Sequence, residues 1–235
     1  NAFRTFVDKH RDKTQAEMAA LRGGVSRRTI SRYLHKLGYS RKKTYGYSQR
    51  DEQARAVFRA TLASVKTSQL VYVDEFGMDA RDDYAYGYSP RGERCFALKS
   101  GTRKQRVNMI AALCQGKLLA PLTVVGSCNR QVFTLWLQEC LLPCLQPGQK
   151  VILDNATFHK GEHITQLIED KGCEVWYLPP YSPDLNKIEH CWSWLKHRIR
   201  KRLKDTSNDL NPDPDQLHNA INEVLAEVVR SQEHQ

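Results

Sequence analysis

The chain has 235 residues, of which 40% are hydrophobic and 26% are charged, and its net charge at neutral pH is +10. This length is enough for one medium-sized domain and a smaller second one. No stretch approaches the roughly 20 consecutive apolar residues of a membrane span, and no apolar segment near the start resembles an export signal. We therefore expect a cytoplasmic protein with no membrane partner. The sequence begins with Asn1 and not with Met, so a fragment that lacks upstream residues is one interpretation of it.

The excess positive charge is concentrated in the first 50 residues. That segment contains thirteen Lys and Arg against three acidic residues, and the remainder of the chain balances to zero. A local excess of this kind indicates an anionic partner such as nucleic acid. The alternative to an anionic partner is a basic tail that is only solvated. The apolar residues that recur at helical spacing in the same segment disfavour that alternative.

Residues 1–43 are predicted to form a small all-α domain of three short helices. Apolar residues recur at helical spacing from Phe3 onward, and Thr14 with Glu17 has the form of a capping box at the start of the second helix. A glycine pair ends that helix, and Ser26 is a favourable N-cap for the third. Helix, glycine turn and helix is the pattern of a helix-turn-helix motif.

The third helix is predicted to expose polar and basic side chains opposite its apolar face. In helix-turn-helix proteins the N-terminal residues of the second motif helix enter the major groove, where arginines contact phosphates or guanine edges. We therefore predict DNA contacts from seven residues on and after this helix: Arg27, Arg28, Ser31, Arg32, Arg41, Lys42 and Lys43. The alternative is a helical hairpin whose charged face is solvated.

Residues 44–68 are predicted to be a linker with a connecting helix, because a polar stretch precedes renewed helical periodicity. Residues 69–235 alternate apolar strands with amphipathic helices, which is the pattern of an α/β domain. Its predicted elements begin with a strand at 69–74, a hairpin at 84–98, strands at 107–113 and 118–125, and a helix at 129–145. They continue with a strand at 151–153, a helix at 163–171, a strand at 174–178, and helices at 185–204 and 217–229.

Three acidic residues stand at the ends of these elements. Asp74 and Asp154 each end an apolar strand, and Glu189 lies at the edge of the apolar stripe of the long helix. A single acid after a strand is often only a loop residue, but the joint placement, together with the basic segment, favours a metal site. We therefore predict that Asp74, Asp154 and Glu189 are catalytic ligands of two Mg²⁺ ions, which Mn²⁺ can replace.

The segments around these acids resemble the insertion-sequence 630 family of bacterial transposases, within the Tc1/mariner superfamily. The similar segments are VDEFG at 73–77, LDNATFHK at 153–160 and, the most specific, LPPYSPDLNKIE at 178–189. Asp154 and Glu189 are separated by 34 residues, as in the DD34E subgroup. Lys187 stands where the family usually has Pro, which changes the entry to the helix that carries Glu189 but not its register.

The resemblance implies an RNase H-like catalytic domain, a mixed sheet with flanking helices, over 69–235. It implies cleavage at the terminal inverted repeats of a mobile element and transfer of the 3′-hydroxyl into target DNA at TA sites. The implied partner is double-stranded DNA, on which a homodimer assembles, and the implied location is the bacterial nucleoid. Asn155 and His159 are predicted to hold the metal ligands in place, with ordinary core or loop roles as the alternative.

Other interpretations of the same residues stay open. A decayed or repurposed transposase would bind DNA without cutting it, and an RNase H-like nuclease or resolvase would cut without joining ends. The helix after Glu189 is basic, so its side chains either contact phosphates or are solvated. A zinc site involving Cys140, Cys144 or the His190–Cys191 pair is a weaker alternative to reduced core thiols.

Overall fold

The computed structural model describes residues 2–41, 49–79, 89–93, 106–206 and 213–233. The chain divides into two compact units, Asn1–Ser48 and Gln49–Gln235. The described elements of the smaller unit are α1 (Ala2–Lys9), α2 (Gln15–Arg22) and α3 (Arg27–Lys36). Those of the larger unit are α4 (Glu52–Ser64), β1 (Leu70–Met78), β2 (Val107–Cys114), β3 (Lys117–Val125), α5 (Arg130–Trp136), β4 (Lys150–Leu153), α6 (Glu162–Asp170), β5 (Glu174–Tyr177), α7 (Ile188–Thr206) and α8 (Pro214–Glu233). Lys42, Lys43 and both strands of the hairpin predicted over 84–98 lie outside the described residues.

Two helix caps predicted from the sequence organise the small unit. Oγ1 of Thr14 accepts the N–H of Glu17 at 3.3 Å, and Oε2 of Glu17 accepts the N–H of Thr14 at 2.6 Å. Oγ of Ser26 accepts the N–H of Thr29 at 3.1 Å, which starts α3. All three helices contribute to a small apolar core of Phe3, Val7, Met18 and Ile30. The predicted succession of helix, glycine turn and helix is therefore present.

The larger unit is built on a mixed five-stranded sheet in the order β3-β2-β1-β4-β5. β2 is antiparallel to β1 and β3, whereas β4 is parallel to β1 and β5. Successive side chains of a strand point to opposite faces, so the sheet carries two cores. One, which includes Tyr72, contains side chains of α7 and α8, and the other, which includes Val71, contains side chains of α5 and α6. The structure confirms the predicted mixed sheet with flanking helices.

β1 is longer than the sequence indicated. The prediction ended this strand at Asp74, but pairing with β2 continues to Met78. The parallel pairing with β4 stops earlier, at Tyr72. β2 continues to pair with β1 beyond the end of β4, so Asp74 lies inside β1 and not at its end. Asp74 is nevertheless two residues beyond Tyr72, the last residue of β1 that pairs with β4. Asp154 follows β4 directly, as predicted.

The helix predicted as a connector within 44–68 packs as part of the larger unit. Phe58 and Leu62 of α4 lie against the core that contains α7 and α8. Arg55 is 1% exposed, and its two terminal nitrogens donate to the carboxylate of Asp184 at 3.0 and 2.7 Å. A guanidinium bonded in this bidentate way fixes both distance and orientation. α4 is therefore attached to the segment that precedes α7, and is not a free connector.

One helix of the larger unit changes its hydrogen-bond pattern along its length. The helix predicted over 129–145 starts at the N-cap Asn129 but passes from α5 into a π-helical turn, Leu137–Leu141, and a 3₁₀ turn, Leu142–Cys144. Pro143 lacks the N–H that a continuing α-helix needs, so the hydrogen-bond pattern changes there. No helix in the described ranges has the length and apolar character needed to cross a membrane.

Candidate active site

Asp74 lies on the face of β1 that packs against α7. Trp192, buried on α7, donates its indole N–H to Oδ2 of Asp74 at 3.0 Å. Burial, followed by the negative charge of Glu189, raises the pKa of Asp74 to about 7. Glu75 and Asp154 contribute further in the same direction. Asp74 therefore lies near the carboxylates of Glu75, Asp154 and Glu189, whose negative charges oppose its ionisation. We call these four residues the acidic cluster.

Asp154 is held by two hydrogen bonds to the same oxygen. Its Oδ1 accepts the backbone N–H of Ala156 at 2.9 Å and lies 2.6 Å from Nδ1 of His159. Burial raises the pKa of Asp154, but these two hydrogen bonds outweigh it and keep the pKa below its usual value. Asp154 is therefore ionised at neutral pH and fixed in orientation.

His159 joins Asp154 to a second carboxylate. The imidazole is 0% exposed, and its Nε2 lies 2.7 Å from Oε1 of Glu75. Burial lowers the pKa of His159, but the hydrogen bonds with Asp154 and Glu75 outweigh it and raise the pKa to about 9. At neutral pH the ring is thus an imidazolium that donates from both nitrogens. The rings of Phe133 and Phe158, at 4.4 and 4.3 Å, enclose it.

Glu75 was not assigned a role from the sequence, although one signal pointed to it. Side chains alternate along a strand, so Glu75 lies on the opposite face of β1 from Asp74. Because β1 continues to Met78, this alternation directs Glu75 toward the core that contains α5. Burying a carboxylate there without a partner would cost free energy, so a polar or charged partner is expected. The prediction that ended the strand at Asp74 removed that clue.

Glu189 is the second residue of α7 and is exposed. Four buried side chains of α7 hold the helix on the sheet: Ile188, Trp192, Leu195 and Ile199. These residues form the core-facing stripe predicted from the sequence, and Glu189 lies at its edge. The negative charge of Glu189 raises the pKa of Asp74, and on this ground we count Glu189 in the acidic cluster.

The acidic cluster suits a hard divalent cation. Its ligand atoms are carboxylate oxygens, which Mg²⁺ and Mn²⁺ prefer. Both hydrogen bonds to Asp154 fall on Oδ1, and no donor among the described residues contacts its Oδ2. Within the same ranges, no group of three or more His, Cys, Asp or Glu side chains is placed so that it could hold a metal ion by itself. Mg²⁺ commonly takes one or two carboxylates from the protein and its other ligands from water and substrate phosphates.

Asn155 and the cysteines have local structural contacts. The side-chain amide of Asn155 donates to the carbonyl of Leu178, which ties the segment after β4 to the end of β5. Cys140 is partly buried, whereas Cys144 is exposed and its Sγ donates to the Cys140 carbonyl. The expectation of two core thiols is therefore wrong for Cys144. In the described part of the chain, neither cysteine belongs to a group of three metal-binding side chains.

The described residues predicted to contact DNA are exposed on the small unit. α3 carries four of them on its solvent face, and one follows the helix: Arg27, Arg28, Ser31, Arg32 and Arg41. The apolar side of α3 is occupied by Ile30, which is fully buried. These side chains are consequently accessible to a partner of the small unit.

Three of the basic residues after Glu189 have contacts that bear on their roles. Arg202 forms ion pairs with Glu223 and Glu227 of α8, and Arg198 lies 3.6 Å from Glu227. These arginines hold α7 and α8 together, a role that the sequence did not indicate. Lys196 instead lies over the ring of Phe76 at 4.8 Å, on the flank of α7 that also carries Glu189.

A family model described as DDE superfamily endonuclease matches residues 69–225, about two thirds of the chain. That range includes Asp74, Asp154 and Glu189. No curated protein sequence matches the chain.

Among solved structures, the fold is similar to that of the mariner Mos1 transposase. The Mos1 paired-end complex with Mg has a TM-score of 0.58 and 16% identity, covering 97% of this chain and 77% of that one. The paired-end complex with Mn gives 0.57 and 17%, with coverages of 97% and 77%. The Mos1 strand transfer complex gives 0.57 and 16%, with coverages of 97% and 76%. At these identities the likeness is one of fold, and the larger unit has the RNase H-like fold.

Proposed function

Since the chain belongs to the DDE superfamily of endonucleases, we propose that it is a DNA transposase that cleaves the ends of a mobile element. The freed 3′-hydroxyl of the element then attacks a phosphodiester of target DNA, which joins the element to the target phosphate and releases the 3′-oxygen of the cut target strand as a hydroxyl. The observation that carries the proposal is the contact geometry of the acids: Trp192 of α7, the helix that carries Glu189, donates to Asp74 of β1, and His159 joins Asp154 to Glu75 of β1. Fold similarity to Mos1 in its paired-end and strand transfer complexes supports the same function.

The finer assignment is to the insertion-sequence 630 family, DD34E type, with TA target sites. It is supported by the 34 residues between Asp154 and Glu189 and by the motif at 178–189. Genomic copies of the coding sequence flanked by inverted repeats and a duplicated TA are the expected outcome. A different duplicated sequence at the borders would contradict the target-site proposal.

In this proposal Asp74, Asp154 and Glu189 hold two Mg²⁺ ions, which Mn²⁺ can replace. Ions bound in this way activate the attacking oxygen and stabilise the leaving one. Trp192 orients Asp74 through Oδ2, and His159 orients Asp154 through Oδ1, so that each acid is fixed before DNA arrives. Asn155 supports this arrangement indirectly by fixing the loop that follows Asp154.

DNA recognition is assigned to the basic small unit. The exposed arginines of α3 and its flank, with Lys42 and Lys43, are proposed to contact the terminal repeats. The Mos1 structures include a paired-end complex with the left transposon end, which supports transposon-end DNA as the partner. That this DNA is double-stranded and that a homodimer assembles on it are parts of the proposal. Lys196, on the same flank of α7 as Glu189, is proposed to contact the DNA backbone near the cleavage site.

A non-catalytic DNA-binding protein derived from a transposase is the second candidate. The observation that favours it is that, among the described residues, no group of three His, Cys, Asp or Glu side chains is placed so that it could hold a metal ion. The two candidates differ in one measurable property, because only the enzyme nicks DNA when Mg²⁺ is added.

The test is Mg²⁺-dependent nicking of DNA that carries the terminal repeats of the element. Asp154→Asn keeps the acceptor for His159 and removes the charge, so nicking should fall by more than about a hundredfold. Binding to the same DNA should stay within about twofold, because phosphate contacts dominate affinity. Asp170→Asn, an exposed acid on α6, is the matched control and should nick normally. Undiminished nicking by Asp154→Asn would refute the assignment, and a parent protein that binds without nicking would support the second candidate.

A further inference from the structure

Asn186 is a buried polar residue in the turn that leads into α7. It is 3% exposed, and its side-chain amide donates to the backbone carbonyl of Val73 at 3.1 Å. Its Oδ1 accepts the backbone N–H of Ile188 at 3.4 Å, and its own carbonyl accepts the N–H of Glu189 at 3.3 Å. Asn186 thus contacts both β1 and the first turn of α7.

The two partners of the side chain are the residues immediately before two of the acids. Val73 precedes Asp74 along β1, and Ile188 precedes Glu189 along α7. A planar amide has donor and acceptor at fixed positions. It therefore sets the spacing between the backbone of β1 and the backbone of α7 at the level of the acidic cluster.

A second contact holds the same turn from its other end. Asp184, two residues before Asn186, accepts hydrogen bonds from Arg50 at 2.7 Å and from Arg55 at 2.7 and 3.0 Å. Arg55 is buried on α4, so the turn is fixed to α4 through Asp184 and to β1 through Asn186. With both ends fixed, the start of α7 has little freedom to shift along the sheet.

We propose that Asn186 is a positioning residue that sets the separation of Asp74 and Glu189 for joint metal binding. The proposal rests on the proposed function, because it takes these two acids as metal ligands. Asn186 itself touches neither the DNA nor the ion. It acts by making β1 and α7 one rigid frame, on which two ligands from distant parts of the chain keep a fixed spacing. Partners that orient metal ligands in this way commonly change metal affinity or activity by about 10- to 100-fold when they are removed.

The experiment compares two substitutions of Asn186 that remove different bonds. Asn186→Ala removes both side-chain hydrogen bonds. Asn186→Asp keeps an acceptor for the Ile188 N–H but loses the donor to Val73, so it separates helix capping from the contact with β1. Ser182→Ala is the matched control, because Ser182 is buried in the same turn and its hydroxyl donates to the Pro180 carbonyl within that turn.

Metal binding is measured directly as Mn²⁺ bound to the protein–DNA complex, by electron paramagnetic resonance, alongside nicking rate, DNA affinity and thermal midpoint. We expect both Asn186 variants to need about 10-fold more Mn²⁺ for half-saturation and to nick at least about 10-fold more slowly. DNA affinity should remain within about twofold of the parent, and Ser182→Ala should match the parent in metal binding and nicking. Asn186→Asp behaving as the parent would show that the residue only caps α7, and would overturn the proposal.

Two further outcomes are decisive. If both Asn186 variants fail to fold, Asp184→Asn replaces them, because Asp184 is half exposed and its loss frees the other end of the turn. Unchanged Mn²⁺ half-saturation in Asp184→Asn would then overturn the proposal. A parent protein that neither binds Mn²⁺ nor nicks DNA would refute the proposed function. An active parent with equally active Asn186 variants would refute only the positioning role of Asn186.

Discussion

His159 carries a positive charge in the middle of an acidic site, where it contacts Glu75 on one side and Asp154 on the other. Removing one member of a buried charged set leaves the others uncompensated. His159→Ala should therefore lower the free energy of unfolding by about 3 kcal/mol, measured by urea denaturation. His163→Ala, at an exposed position on α6, is the control and should change stability little. Equal stabilities of the two variants would show that the imidazolium bridge contributes nothing.

The raised pKa values of His159 and Asp74 predict how stability depends on pH without metal. Both groups bind protons more tightly in the folded chain. The contribution of Asp74 is lost as pH rises from its ordinary value of 3.8 to about 7. That of His159 is complete below 6.5 and lost as pH rises to about 9.

In EDTA, unfolding free energy should therefore decline between pH 7 and 9, by up to about 3 kcal/mol. His159→Gln should remove most of that decline and leave only the upper part of the Asp74 titration, because Asp74 has a pKa of about 7. The measurement is urea unfolding at a series of pH values. A variant with the same slope as the parent would contradict the assignment of the decline to His159.

At the scale of elements, the attachment of α4 to the turn before α7 is the contact that the sequence did not reveal. Arg55→Ala removes a buried guanidinium from between them and should destabilise the larger unit by about 2 kcal/mol, less than for a fully buried pair because Asp184 is half exposed. Arg59→Ala, at an exposed position of the same helix, is the control. Hydrogen exchange should show α4 opening together with the sheet, and a helix that exchanges freely while the sheet stays protected would count against this packing.

The elements that the sequence predicted well are those with one dominant local signal. The cap at Thr14, the strand before Asp154 and the apolar stripe of α7 each depend on neighbours in sequence. The end of β1 and the packing of α4 depend on where β2 and Asp184 lie in space, which periodicity does not encode. The three acids of the proposed site could be named from the sequence because their motifs are local, and their role stays a prediction. Glu75 and Asn186 gain their partners only when distant elements meet.

At the scale of the whole molecule, the positive charge and the acidic cluster occupy different units. The excess charge of residues 1–50 predicts that DNA affinity depends on salt mainly through the small unit. Replacing Arg27, Arg28 and Arg32 together by Ala should reduce the slope of log affinity against log salt concentration by about 0.9 for each phosphate that the variant no longer neutralises. Arg11→Ala is the control, because Arg11 is already paired with Asp8 at 2.6 Å. An unchanged slope in the triple variant would place the DNA-binding surface elsewhere.

The shared metal site of Asp74, Asp154 and Glu189 is tested most directly by locating Mn²⁺ in a crystal of the protein bound to terminal-repeat DNA. Anomalous scattering identifies the ion and the atoms around it without relying on activity. We predict Mn²⁺ peaks within coordination distance of these three carboxylates, completed by DNA phosphate and water. Peaks ligated by Glu75 in place of Asp74, or no Mn²⁺ at the acids while DNA is bound, would contradict the account.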